Sequence, residues 1–127
     1  MLKADVFPVL SAKTLFKEAL EAMGRSNLGI ACIVDAQEKL LGILTDGDIR
    51  RKLLKVQKPF SAFFADDALV HAIRQPTTIQ PASTLREAIE LMERKQIWDL
   101  PVVDASGKLT GLLHLHPVVQ ALLGIRV

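Results

Sequence analysis

Apolar residues along this chain follow two rhythms in turn, and the sequence of rhythms occurs twice. Phe16, Ala19, Leu20 and Met23 fall at i, i+3, i+4 and i+7, the stripe of a helix with one buried face. Leu85, Ala88, Ile89 and Met92 repeat that spacing. Behind each stripe comes a brief run rich in branched residues, Ile30 to Val34 and Leu100 to Val103, which predicts a buried strand. A turn follows each run, Asp35-Ala36-Gln37-Glu38 and Asp104-Ala105-Ser106-Gly107, and then a second strand, Leu40 to Leu44 and Leu109 to Leu113. Closing helices are expected from Asp46 and from His116, and short strands near Val9–Leu10 and Thr78–Ile79 precede the two units. Thr84, with Glu87 three residues on, forms a capping box for the second helix, and Thr14 is expected to cap the first.

The two units align in register. Glu18 falls on Glu87, Met23 on Met92, Asp35 on Asp104, Lys39 on Lys108, Leu40 on Leu109 and Gly42 on Gly111, an offset of about 70 residues held across a whole supersecondary unit. Between the copies, Lys55 to Gln75 carries the apolar cluster Phe60, Phe63, Phe64, then Ala68, Leu69 and Ile73, bounded by Pro59 and Pro76. It reads as one or two linking helices. A unit of about 55 residues covers its own apolar face poorly, so the expected fold is α+β: tandem βαββα repeats packed sheet to sheet with pseudo-twofold symmetry and two equivalent clefts. The boundaries expected are 1–56, 57–75 and 76–127.

Composition narrows the function. Half of the 127 residues are apolar, enough for a sizeable core. The 16 basic residues barely exceed the 14 acidic ones, and tyrosine is absent, which argues against a nucleic-acid surface or a base-stacking platform. Cys32 has no second cysteine to join and lies in an apolar run; a buried inert thiol in a reducing, cytoplasmic setting fits. No stretch approaches a membrane span. No Ser/His/Asp or Cys/His arrangement and no metal-spaced Cys/His set stands out, so an enzyme is not expected.

Candidate chemistry concentrates in Gly42-Ile43-Leu44-Thr45-Asp46-Gly47-Asp48-Ile49-Arg50-Arg51. A strand ends there and a helix begins with Thr45 at its N-cap, and the free N–H groups and partial positive charge of a helix start attract anions. The Thr45 hydroxyl can donate to a phosphate oxygen, while the Asp48 carboxylate suits a ribose diol. Thr45-x-x-Asp48 is equally a plain capping box, with Asp48 reaching back to the Thr45 N–H, and Arg50 and Arg51 read by default as a solvated helix face. His114 and His116 alternate at a strand end, as two metal ligands would, but no third ligand stands nearby; a polar rim of the cleft is the preferred reading. His71 reads as a surface residue. Trp98 falls opposite Gly29 at a cleft edge, where core packing competes with stacking on a ligand ring.

The double βαββα pattern, the Gly42-x-x-Thr45-x-x-Asp48 segment and Leu100-Pro101-Val102-Val103-Asp104 resemble a CBS-domain pair over nearly the whole chain. Asn27-Leu28-Gly29, Leu44 to Arg51 and Gly111-Leu112-Leu113-His114-Leu115-His116 are similar to the C-terminal CBS pair of arabinose-5-phosphate isomerases, which act in making the lipopolysaccharide sugar Kdo and carry a sugar-isomerase domain ahead of the pair. The resemblance implies a regulatory module binding a cytidine or adenine nucleotide, or a cytidylyl sugar, with no isomerase activity of its own. It also implies a homodimer and an attached or partner isomerase domain. A purely structural assembly module, favoured by the Phe60, Phe63, Phe64 cluster, is the alternative. Thr45 and Asp48 inherit the phosphate and ribose roles, with Asp46, Arg50, Ala31, Ser11, His114 and His116 as further ligand-binding candidates. The second copy departs from the pattern: His114 replaces Thr45 and Pro117 replaces Asp48, so nucleotide is expected to prefer the first cleft.

Overall fold

The computed structural model describes residues 6–56 and 58–115, with Phe60 by its backbone alone. The order is β1 (Val9–Ser11), α1 (Phe16–Ser26), β2 (Ile30–Val34), β3 (Leu40–Thr45) and α2 (Asp46–Lys55), then α3 (Leu85–Lys95), β4 (Asp99–Val103) and β5 (Leu109–His114). The helix expected from His116 lies outside the described residues. In the first sheet β1 runs parallel to β2, and β2 antiparallel to β3; in the second, β4 and β5 are antiparallel.

Local chemistry sets most of the ends. Thr84 Oγ1 accepts from the Glu87 N–H at 3.1 Å, and Glu87 reaches back to the Thr84 N–H, completing the capping box of α3. α1 differs from expectation. Its N-cap is Leu15, whose N–H donates to Glu18 Oε1 at 2.9 Å, while Thr14 is drawn away to accept from the Ser11 N–H. Both helices stop on a left-handed residue, Asn27 and Gln96. Each strand turn is held by an aspartate: Asp35 Oδ1 accepts from the Gln37 and Lys39 N–H groups, and Asp104 Oδ1 from those of Ser106 and Lys108.

The short strand expected at Thr78–Ile79 shrinks to one bridge, Ile79 to Val102. In the first repeat Cys32 donates to the Pro8 carbonyl at 2.9 Å. Pro101 occupies the matching place in β4 and has no N–H to give, so the third strand cannot extend there.

The segment between the repeats forms two 3-10 turns, Phe60–Phe63 and Ala68–His71, and folds back over α1. Phe16 donates to the Asp66 carbonyl and Ala68 to that of Thr14, each at 2.8 Å. Phe63 and Ala68 join Phe16, Ala19, Met23, Ala31, Ile33, Leu44 and Ile49 in one core. Phe63 is therefore an interior residue and not part of a free apolar surface. The side chain of His71, expected at the surface, is only 6% exposed because the slot between Phe16 and Phe63 takes its ring, with centroids at 4.9 and 5.2 Å. Its Nε2 meets Asp66 Oδ2 at 2.8 Å, and Lys58 reaches the same oxygen. Ile73 then pairs with Ile43 in both directions. Gly42 permits that approach, since a Cβ there would lie 2.8 Å from the Ile73 carbonyl oxygen.

The two sheets face each other across a second core of Phe7, Ile30, Cys32, Ile43 and Leu112. Their strand turns also touch: Leu40 donates to the Gly107 carbonyl, Leu109 to that of Glu38, and Lys108 pairs with Glu38. This reciprocal pair of bonds is the pseudo-twofold arrangement read from the repeat.

Candidate functional site

β3 ends at Thr45, which still pairs with Ile30 of β2 while capping α2. Its Oγ1 accepts from the Asp48 N–H at 3.2 Å and donates its own proton to Asp48 Oδ2. Asp48 Oδ1 is held by Arg51 Nη2. Thr45 is thus a true cap, but the Asp48 carboxylate bonds the Thr45 hydroxyl and Arg51 and does not reach back to the Thr45 N–H as a capping box requires. Among the described residues the carboxylate is held by two side chains, both of which a ligand can replace.

These groups face a cleft of about 450 Å³, within the usual range of small-molecule sites. One wall is Thr45, Gly47, Asp48 and Arg51; the other is Gln96, Ile97, Trp98 and Asp99; Ile43 and Ile73 lie among the lining residues, with Gln75 to Thr77. The first repeat supplies the polar helix start and the second repeat supplies Trp98. A hollow of similar size beside α3 is lined by Thr78, Ser83, Glu87, Glu90 and Arg94. Glu87 is engaged there in its cap and Glu90 with Arg86, and the second repeat alone supplies its lining.

Of the residues singled out in the sequence, Thr45 and Asp48 meet in the cleft. Arg50 does not line it; Arg51 does, because Asp48 and Arg51 share a helix face at i, i+3 and Arg50 is turned away. Asp46 packs against Gly29, where a Cβ would sit 2.8 Å from its Oδ2. Ala31 is sealed in the first core. Ser11 pairs with Val34 at the opposite end of the sheet from Thr45. His114 stands behind the wall, its Nδ1 2.7 Å from Asp99 Oδ1, and His116 and Pro117 lie outside the described residues. Among the described residues no group of three or more metal-ligating side chains forms.

Asp99 is a charged lining residue that the sequence reading passed over, and Arg51 is one that it weighed with Arg50 but read by default as solvated helix face. Asp99 stands where the first repeat has Ile30, and a carboxylate at an apolar repeat position was the available signal. Burial pushes its carboxyl above the ordinary value, partly opposed by the His114 hydrogen bond. Burial and the Asp99 charge together push the Cys32 thiol up to about 12, so Cys32 is an inert core residue.

The second cleft is different. Pro76, Ile97, Asp99 and Ile43 of the open cleft correspond to Phe7, Leu28, Ile30 and Leu112; Phe7, Ile30 and Leu112 are buried in the inter-sheet core, with Phe7 only 4% exposed, and Leu28 packs against it half-buried. The mirror positions of Gly47, Asp48, Arg51 and Ile73, which are His116, Pro117, Gln120 and Ala4, lie outside the described residues.

Comparison with known proteins agrees with this architecture. The CBS domain family matches residues 4–55 and 67–124. The chain is 31% identical over 126 residues to the arabinose 5-phosphate isomerase GutQ of Escherichia coli, covering 95% of this chain and 36% of that protein. It is 35% identical over 126 residues to an uncharacterized protein of Helicobacter pylori, covering 94% and 35%. The chain therefore spans about a third of the length of these relatives. Among solved structures, CBSX2 in complex with AMP superposes with a TM-score of 0.80 at 27% identity, covering 98% of this chain and 93% of that one. The CBS-pair protein CBSX2 from Arabidopsis thaliana gives 0.76 at 25%, covering 98% and 92%. The chain belongs to the CBS domain family, as a tandem CBS pair.

Proposed function

We propose that this CBS pair is a regulatory sensor that takes one nucleoside phosphate in the cleft between Thr45 and Trp98. The observation that carries the reading is the polarity of that cleft. One end has a helix start with Thr45, Asp48 and Arg51; the other has Ile97 and Trp98. Phosphate belongs at the helix start, where N–H groups and Arg51 meet its charge. Ribose hydroxyls replace Thr45 and Arg51 as partners of Asp48, and the base lies against the apolar wall. Adenine nucleotides are supported by the AMP complex of CBSX2. Cytidine nucleotides or a cytidylyl sugar are supported by the likeness to GutQ, through the Kdo pathway. The likeness to GutQ also supports a sensor attached to, or partnered with, a sugar-isomerase domain; assembly as a homodimer belongs to the same proposal and rests on the CBS-pair resemblance alone. Regulation then requires that the effector bind two states of the assembly unequally.

Isothermal calorimetry with AMP and CMP tests the site. Wild type should titrate at one nucleotide per chain, because His114 and Pro117 stand in the second copy where the first has Thr45 and Asp48. Asp48→Ala removes up to two charge-assisted hydrogen bonds and should weaken binding by about tenfold or more. The variant should stay folded, since the Thr45 cap on the Asp48 N–H is backbone-directed and the Arg51 pair is largely exposed and worth about 1 kcal/mol or less. A folded Asp48→Ala protein that binds as tightly as wild type would overturn the assignment.

A further inference from the structure

We propose that Asp99 selects the base by accepting a hydrogen bond from an exocyclic amino group, so that the cleft favours adenine or cytosine nucleotides over analogues without that amine. The inference rests on the nucleotide reading of the cleft. With phosphate at the start of α2, the rest of a nucleotide crosses toward the wall of Gln96, Ile97, Trp98 and Asp99. Ile43, Ile73, Ile97 and Trp98 offer apolar area to a base but cannot tell one base from another. Among the charged groups lining the cleft, Asp48 and Arg51 sit at the phosphate end on α2, which leaves Asp99 on the base wall.

Asp99 is placed for this by a pair that the first repeat lacks. Ile30 faces Thr45 across β2 and β3, whereas Asp99 faces His114 across β4 and β5. His114 Nδ1 holds Asp99 Oδ1 at 2.7 Å and so fixes the carboxylate plane; His114 is a positioning residue. Oδ2 makes no hydrogen bond to another described side chain, and the Asp99 side chain retains 22% exposure. An ionised carboxylate accepts hydrogen bonds and donates none. Adenine N6 and cytosine N4 supply the N–H it needs. A keto oxygen at the same place turns a lone pair toward the carboxylate, and a bare C–H leaves a half-buried acceptor unpaired.

The test compares AMP, purine riboside 5′-monophosphate and IMP by calorimetry on wild type, Asp99→Ile and the double variant Asp99→Ile/His114→Thr. The double variant rebuilds the Ile30–Thr45 pair that the first repeat already folds around, so it guards against a misfolded single variant. Wild type should bind AMP about tenfold or more tighter than the analogue lacking the amine, with IMP weaker again. Both variants should bind all three within about twofold of each other, well inside the tenfold gap expected for one hydrogen bond to a charged acceptor. Equal affinity of wild type for AMP and the purine analogue would overturn the proposal, as would an AMP preference that survives in the folded double variant. In either case a continued loss on Asp48→Ala would leave the nucleotide reading standing. If no nucleotide binds wild type at all, both readings fall together.

Discussion

At the scale of single residues, the same carboxylate gives the fold a pH signature. The folded Asp99 carboxyl lies above its ordinary value of 3.8, chiefly through burial. Between the ordinary and the raised value the folded chain holds a proton that the unfolded chain has released. The Asp99 contribution to stability is therefore fully present below about 3.8 and is lost as pH rises through the folded value. Asp99→Asn removes that dependence. Thermal melts should show the variant gaining on wild type as pH is raised from 3.5 toward 7 (on the order of the window in which a buried carboxyl titrates); a difference that stays flat would sink the account. His71 and Asp99 were the two residues hardest to read in advance. His71 read as a surface residue and Asp99 drew no reading, and each is set by partners outside its own element: Phe16 and Phe63 for one, His114 for the other. Thr45 and Asp48 were legible because a cap and the turn of helix after it are local. Choosing Arg51 over Arg50 needed the helix phase that only the cleft defines.

At the scale of elements, the linking segment acts as the outer layer of the first repeat. Phe63 is 1% exposed, against Phe16 at a tilted centroid distance of 6.2 Å. Phe63→Ala should cost about 3–5 kcal/mol, as buried aromatic deletions do. Thr84→Ala removes one capping hydrogen bond and should cost about 1 kcal/mol. Denaturant titrations of the two variants should separate them clearly, and equal losses would mean that the segment is not part of the cooperative core. The helices, the paired strands and their turns were visible in the sequence because stripe, cap and Asp-led turn are each contained within a few residues. The third strand of the second sheet was not, since its failure depends on Pro101 in a neighbouring strand. The linking segment was legible only in part: Phe60, Phe63 and Phe64 keep helical spacing for a single turn, and the two 3-10 turns that form are ordered by the slot they fill on α1.

At the scale of the whole molecule, the repeat foretold two equivalent clefts, and the copies diverge where the open cleft has Pro76, Trp98 and Asp99 and the mirror positions hold Phe7, Gly29 and Ile30. No helix among the described residues is long and apolar enough to cross a membrane. The two sheets meet at their strand turns through the Leu40–Gly107 and Leu109–Glu38 bonds, while Thr45 and Asp99 lie at the other ends of the same strands. A five-residue strand spans about 16 Å, so the open cleft is the mouth of a pair of tongs and the turn-to-turn bonds are its pivot. Gripping a ligand moves the jaws most and the pivot least. Hydrogen exchange should therefore slow at Gln96 to Asp99 when nucleotide is added and stay unchanged at Leu40 and Leu109; slowing at the pivot instead would mean that the halves tighten as a block. Tongs carry a grip at the mouth to whatever is fixed along their arms, and here the arms are backed by α1 and α3, one on each half, so a partner resting on both would register ligand as a change in the angle between two rods.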